Sequence, residues 1–281
     1  MKHISKPFIL LALILCSLVD ISRSELTICS VPLRYENHAT SGCNRATKAF
    51  TTKRGHLQKI TKVIGDEGPP GTECDNTLEL QLLAEAANTS GACKSFWMLR
   101  SGDLIDTDVH SYWEQVVYAA NAFPNTYYLD KATNRAKGKA VTNFLSGEEL
   151  GDKTLLHNIQ MYLSDVHKEV KSVSETLDIG LQAALNNMQL AAQAKINMMP
   201  SKTERDQSNR DAKQRILNDA KALFGFYALF PNPTTISQLF QGFEEYIEEH
   251  TNSKEIIHVN IPTKSRSTYV HNHQHPLVQH H

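Results

Sequence analysis

The densest group of side chains able to hold a metal ion or exchange protons is an acidic run that ends in a histidine. It comprises Asp103, Asp106, Asp108 and His110. Carboxylate oxygens suit calcium or magnesium, so the run is a candidate metal or acid–base site. It lacks the alternating ligands and central glycine of a calcium loop. Aspartates that cap the N-terminus of a helix explain the same pattern, and we prefer that interpretation.

Histidines form a second group, with five of them in residues 271–281. His271, His273 and His275 would share one side of an extended strand, which makes them a candidate weak zinc or copper site. A composition-biased tail in which nothing orients the rings is the alternative. His157 and His167 lie ten residues apart on a predicted helix, about 15 Å along its axis, so they cannot share a metal.

The third candidate is a basic stretch without any acidic residue between Glu36 and Asp66. Its cations are Arg45, Lys48, Lys53, Arg54, Lys59 and Lys62. Such a patch could bind heparan sulfate, anionic lipid or another polyanion, and the alternative is an ordinary solvated helix face. The whole chain has a formal net charge of only −1, which argues against a general nucleic-acid-binding protein.

A fourth candidate is the apolar stretch 222–230, which contains Phe224, Phe226 and Phe230. These side chains could contact lipid at a membrane interface. The alternative, which we prefer, is a helix buried in the protein core.

Sequence motifs of known catalytic classes are missing. We find no nucleophile elbow, zinc-protease motif, phosphate-binding loop, dinucleotide fingerprint or calcium loop. A missing motif excludes no mechanism, because catalytic triads assemble from distant residues. We nevertheless expect a binding protein rather than an enzyme, and we assign no cofactor.

The N-terminal residues have the order of a secretory signal. Lys2 and Lys6 precede an apolar run from Phe8 to Val19, and small residues stand at Ser22 and Ser24. The run is too short to span a bilayer, and no later stretch approaches eighteen apolar residues. We therefore expect residues 1–24 to be removed and the mature chain to be secreted without a transmembrane segment.

Four cysteines remain after that cleavage: Cys29, Cys43, Cys74 and Cys93. An even number in an oxidising compartment predicts two disulfides. Three pairings are possible, and we favour those that join Cys74 and Cys93 to the two earlier cysteines. Asn88-Thr89-Ser90 is the usable N-glycosylation sequon, so we expect a glycan on Asn88.

The elements that would position these residues read mainly as helices. After Asp152 no proline occurs until Pro200, and apolar residues recur at helical spacing, which predicts one helix over about 152–199. Its core stripe includes Tyr162, Val170 and Leu177, with Lys195 as its exception and Gly180 as the place for a kink.

Further segments also have helical patterns. We expect helices over 44–64, where Phe50, Leu57, Ile60 and Ile64 would share a face, and over 76–88. Others are expected from Asp106 or Asp108 to Pro124, within 131–144, over 203–229, and from Thr234 or Thr235 onwards. Residues 94–99 read as a short strand or extended link.

The predicted fold is therefore all-α: an elongated helical bundle around the long helix, stapled by disulfides within 29–93. We expect one domain over 25–251 and a mobile tail over 252–281 with a strand-like run at 256–261. The function we expect is that of a secreted binding or effector protein acting on an extracellular protein or glycosaminoglycan. A lipid- or membrane-interacting helical protein is the alternative.

Overall fold

The computed structural model describes residues 26–34, 38–106, 110–150, 153–229 and 235–252, with the backbone alone at 38–41 and 224–229. The helices in these ranges are α1 (His38–Arg45), α2 (Leu80–Thr89), α3 (Ala92–Ser101), α4 (His110–Asn121), α5 (Lys131–Ser146), α6 (Leu156–Asn197), α7 (Glu204–Leu229) and α8 (Ile236–Asn252). The strands are β1 (Thr27–Ile28), β2 (Val31–Pro32), β3 (Lys48–Lys53), β4 (His56–Thr61), β5 (Thr72–Asn76) and β6 (Thr126–Asp130).

The all-α prediction is wrong, because the fold is mixed α/β with two sheets. The short strands β1 and β2 form an antiparallel pair. The larger sheet has the strand order β4-β3-β6-β5, in which β3 and β6 are parallel while the two outer pairs are antiparallel. Helices dominate the chain, but the sheet carries the N-terminal end of α6.

The helix predicted over 44–64 is also wrong, since these residues form the β3–β4 hairpin. The reversal occurs at Arg54 and Gly55, whose φ angles are 54° and 83°. Two consecutive positive φ values are what a two-residue hairpin turn of type I′ requires. Phe50 and Leu57 are buried as expected, but Ile64 is 63% exposed. The helical spacing of apolar residues was therefore accidental.

Strands β5 and β6 were not predicted, because each has only five residues and lies beside a helix with a stronger pattern. The short strand or extended link expected at 94–99 is instead part of α3. Helix α5 starts where the sequence suggests, and Asp130 caps it by accepting a hydrogen bond from the Thr133 N–H at 3.0 Å.

The long helix is present as α6, which has 42 residues and spans about 63 Å. It continues through Gly180. Its stripe is buried along the whole length, from Ile159 and Tyr162 to Met188 and Ala192. Lys195, the exception in that stripe, reaches Asp103 with a 2.9 Å ion pair. The helix thus packs on the sheet at one end and on α3, α4 and α7 further along.

Helix α8 lies against α6 and has a double N-terminal cap. The Gln238 N–H donates to Thr235 Oγ1 at 3.1 Å, and the Thr235 N–H donates back to Gln238 Oε1 at 3.0 Å. Asp178 of α6 accepts hydrogen bonds from the Ile236 and Ser237 N–H groups at 2.7 and 3.2 Å. Of the two predicted starts, Thr234 and Thr235, the second is therefore the residue that caps the helix.

Two disulfides are present, as the cysteine count predicts. Cys29 pairs with Cys93, which ties the β1–β2 turn to α3. Cys43 pairs with Cys74, which ties α1 to β5. Both bridges thus hold the N-terminal elements against the rest of the protein, and the described residues up to Thr251 form one compact unit.

Candidate binding surface

The six predicted polyanion-binding residues lie on and beside the β3–β4 hairpin, where they fall into two groups. Lys53 and Arg54 are exposed at the turn, and Arg45 is exposed at the end of α1. None of these three side chains has an ion-pair partner among the described residues. They are the cations that an external anion could reach.

Lys48, which is partly buried, and Lys59, whose side chain is 54% exposed, are both bonded to carboxylates of α6. Lys48 Nζ lies 3.3 Å from Asp165 Oδ2 and 2.9 Å from Glu169 Oε1, and Lys59 Nζ lies 2.5 Å from Asp165 Oδ1. Partial burial acts to raise the pKa of Asp165, but the hydrogen bonds from Lys59 and Lys48 outweigh it and hold that pKa below its ordinary value. These two lysines therefore fasten the hairpin to α6.

Lys62 is unavailable to a ligand because it is buried, with 7% of its surface exposed. Its ammonium group donates to the carbonyl oxygens of Asn44 and Val63 at 3.3 and 3.0 Å, and lies 5.6 Å from the centre of the Tyr128 ring. The basic patch is thus smaller than the sequence suggests.

One exposed cation at the turn was missed from the sequence. Thr52 donates a 3.0 Å hydrogen bond to Asp130, and β3 runs parallel to β6 with Phe50 opposite Leu129. This pairing brings Lys131, which is exposed, to the same end of the sheet as the turn. No sequence signal relates Lys131 to residues about eighty positions earlier, because parallel pairing joins distant segments.

We call the exposed basic residues at this end of the sheet the tip cluster. It consists of Lys53, Arg54, His56 and Lys131. The hairpin turn, the parallel β3–β6 pairing and the start of α5 position these residues on ordered backbone. Several cations on a rigid turn can hold an anionic group with little loss of conformational freedom on binding.

A second concentration of ionisable groups lies inside the protein. The ammonium of Lys137, with a fully buried side chain, lies 2.6 Å from Asp75 Oδ2 and 3.2 Å from Glu79 Oε1. The Tyr162 hydroxyl is 3.1 Å from the same Asp75 oxygen. Lys137 also donates to the Asn76 carbonyl oxygen at 2.7 Å. The group joins β5, α5 and α6 and was not foreseen, because its members are spread over nearly ninety residues.

Burial raises the pKa of Asp75 to about 7, against the opposing attraction of Lys137 and with help from the nearby Glu79 carboxylate. Two carboxyl groups share one buried ammonium, so full ionisation would leave an uncompensated negative charge in the core. This arrangement resembles an acid–base centre in composition, but its side chains are at most 9% exposed. A substrate could not reach it without opening the core.

The acidic run around Asp103 is divided by the fold. Asp103 forms ion pairs with Lys195 and Lys213. Both lysines lower the pKa of the Asp103 carboxyl group, and the hydrogen bond from Lys195 is the largest cause. Asp108, one of the two aspartates expected to cap a helix, lies outside the described residues. Across the described ranges, no three His, Cys, Asp or Glu side chains are grouped as a metal site would require.

An open groove of about 800 Å³ lies between α6 and α8. Its walls carry Asp165, Glu244, Glu245 and Glu248, so it is acidic. His167 also lines this groove and lies 2.8 Å from Glu244, whereas His157 is exposed elsewhere on α6. The groove therefore does not favour the anionic ligand that the tip cluster would accept.

Of the remaining candidate residues, only some lie within the described ranges. Asn88 is exposed at the C-terminal end of α2, where an enzyme adding a glycan would need it. The side chains of Phe224 and Phe226, the whole of Phe230, and the histidines at 271, 273 and 275 lie outside the described residues. Searched over the described part of the chain, no helix is long and apolar enough to cross a membrane.

Comparisons with known proteins give no match: no family model, no curated protein and no solved structure is similar enough to be paired with this chain. The disulfides are compatible with an extracellular protein. Any statement of function therefore depends on the surface just described.

Proposed function

We propose that this is a secreted, non-enzymatic binding protein that attaches to an extracellular protein or glycosaminoglycan through anionic groups of that partner. The observation that carries the proposal is the tip cluster. Its cations are exposed and lack ion-pair partners in the described structure, whereas neighbouring Lys48 and Lys59 are bonded to α6.

The distribution of the other charges supports binding rather than catalysis. The densest ionisable group, around Lys137, is enclosed in the core, and the Asp103 carboxylate is held by two lysines. Enzymes place perturbed acids and bases in clefts that substrate can enter. The tip cluster, in contrast, is exposed to solvent on the hairpin and at the start of α5.

Heparin affinity chromatography tests the proposal. The purified protein should be retained at low salt and released as salt rises, because neutralising several anionic groups liberates counterions. Changing Lys53 and Arg54 together to glutamine should move elution to clearly lower salt. Adding Lys131→Gln should lower it further.

The matched control is Lys59→Gln, which removes the same charge from the same hairpin but from a lysine that is already paired with Asp165. It should reduce stability slightly and leave heparin elution close to that of the unaltered protein. Equal losses from Lys59→Gln and from Lys53→Gln with Arg54→Gln would show that only net charge matters. Flow-through of the unaltered protein at low salt would reject the glycosaminoglycan form of the proposal.

A further inference from the structure

Strand β4 is an edge of the four-stranded sheet. In the described structure, about half of the backbone groups on its outer side have no hydrogen-bond partner. Lys53 and His56 are the last pair before the turn, and the backbone groups of His56 face β3. Because the direction of these groups alternates along an antiparallel strand, those of Leu57 face away from β3 and those of Gln58 face it again. The Leu57 N–H points outwards, because it donates to Asn158 Oδ1 at 3.1 Å. The Lys62 N–H points inwards, because it donates to the Thr47 carbonyl oxygen at 2.8 Å.

By this alternation Lys59 and Thr61 also direct their N–H and C=O groups outwards. No other backbone group in the described structure bonds to them on that side. Asn158 shows that this edge accepts a partner: its amide also donates to the Gly55 carbonyl oxygen at 3.1 Å, so one side chain pairs with the edge as a strand would. Beyond Leu57 that pairing stops.

The open edge has exposed apolar residues at its far end, the tip cluster at its near end, and the Lys59–Asp165 ion pair between them. Asn158, Met161 and Asp165 share one stripe of α6, and its ends contact Leu57 and Lys59. Met161, 43% exposed, lies on this stripe between those two contacts and also lines the groove between α6 and α8. At the far end of β4, Val63 and Ile64 are 67% and 63% exposed, and at the near end stands the tip cluster.

We propose that β4 accepts an extended acidic peptide segment of a partner protein as a fifth strand of the sheet. Lys59 and Thr61 would supply about four backbone hydrogen bonds. Apolar side chains of the peptide would cover Val63 at the far end of β4, and its carboxylates would meet the tip cluster at the near end. This inference deepens the proposed function, because it names the partner and adds a backbone contact to the charge contact.

The charges on the edge select this occupant. A second copy of the chain pairing through its own β4 would bring a strand that carries no carboxylate, so the tip cluster would gain no anionic partner. A polysaccharide could match the charges, but it has no row of amides to complete a ladder. An acidic polypeptide satisfies both the charges and the open hydrogen bonds.

The test uses a synthetic peptide of about eight residues that alternates glutamate and valine. Amide hydrogen exchange of the unaltered protein should slow at Lys59 and Thr61 when this peptide is added. One control peptide is N-methylated on the alternate residues whose N–H groups form one hydrogen-bonding edge, and another is N-methylated on a single terminal residue. The first should bind at least about tenfold more weakly than the second. Unchanged exchange at both residues in the presence of saturating peptide would overturn the inference.

A protein variant gives the reciprocal test. Thr61→Pro deletes an outward N–H that the β3–β4 ladder does not use, and Thr61→Val keeps that N–H as its control. The proline variant should lose peptide binding while its heparin elution stays unchanged. Peptide binding equal to that of the valine variant would reject strand addition. Loss of heparin binding on changing Lys53 and Arg54 would still support the proposed function, so the two failures are distinguishable.

Discussion

At the scale of single residues, we expect Lys137 to contribute more to the free energy of unfolding than any exposed cation. It is completely buried and faces two carboxyl groups, and a carbonyl oxygen accepts one of its hydrogen bonds. Removing one partner from a buried ion pair leaves uncompensated charge in a medium that solvates it poorly. Lys137→Met, which keeps most of the side-chain volume, should therefore lower the free energy of unfolding by about 3–5 kcal/mol.

Urea unfolding monitored by circular dichroism would measure this loss. Lys139→Met is the matched control, because Lys139 is exposed on the same helix. Equal stability of the two variants would show that the buried ammonium is dispensable.

Asp75 should make stability depend on pH in an unusual direction for an aspartate. Its pKa in the folded protein is about 7, above the ordinary 3.8, so the folded state holds a proton that the unfolded chain has lost between those values. The contribution to stability is complete below about pH 4, declines as pH rises towards 7, and is then lost. Asp75→Asn should flatten this decline, because asparagine cannot ionise.

The comparison is the urea midpoint at about pH 5 and about pH 8 for the unaltered protein, for Asp75→Asn and for the exposed control Asp66→Asn. The unaltered protein and the control should lose more stability over this interval than Asp75→Asn. A decline of the same size in all three proteins would contradict the assignment.

At the scale of elements, α6 was predictable because it repeats one pattern over many turns. Its core stripe runs from Ile159 to Ala192, and each buried apolar residue along it recurs at the spacing of an α-helix. Leu177 is 1% exposed, so Leu177→Ala should cost about 2–5 kcal/mol of unfolding free energy. Ile179, two residues later and 71% exposed, supplies the control. If Ile179→Ala were equally costly, the assigned core face would be incorrect.

The strands were harder to predict, and the physical reason is visible in the hairpin. Strands β3 and β4 have six residues each, so only Phe50 and Leu57 mark the buried face strongly. Two apolar residues seven apart fit a helix as well as a pair of strands. The turn at Arg54 and Gly55 was the deciding feature, and arginine is not typical of a residue with positive φ.

At the scale of the whole molecule, the disulfide count, the long helix and the capped start of α8 could be derived from local pattern. The division of the basic patch could not be, because it depends on which lysines meet Asp165 and Glu169, more than a hundred residues away. The position of Lys131 beside the hairpin and the cluster around Lys137 depend likewise on strand pairing. Local sequence therefore identified the candidate cations, and tertiary structure decided which of them are buried or ion-paired.

The central claim is that the tip cluster, and not the whole basic stretch, contacts an anionic partner. Amide chemical-shift mapping by NMR, with a heparin-derived oligosaccharide added to the isotopically labelled protein, tests it most directly. The account predicts saturable shifts concentrated at Lys53, Arg54, His56 and Lys131, with little change at Lys62 or along α6. Shifts centred elsewhere, or none at saturating oligosaccharide and low salt, would contradict it.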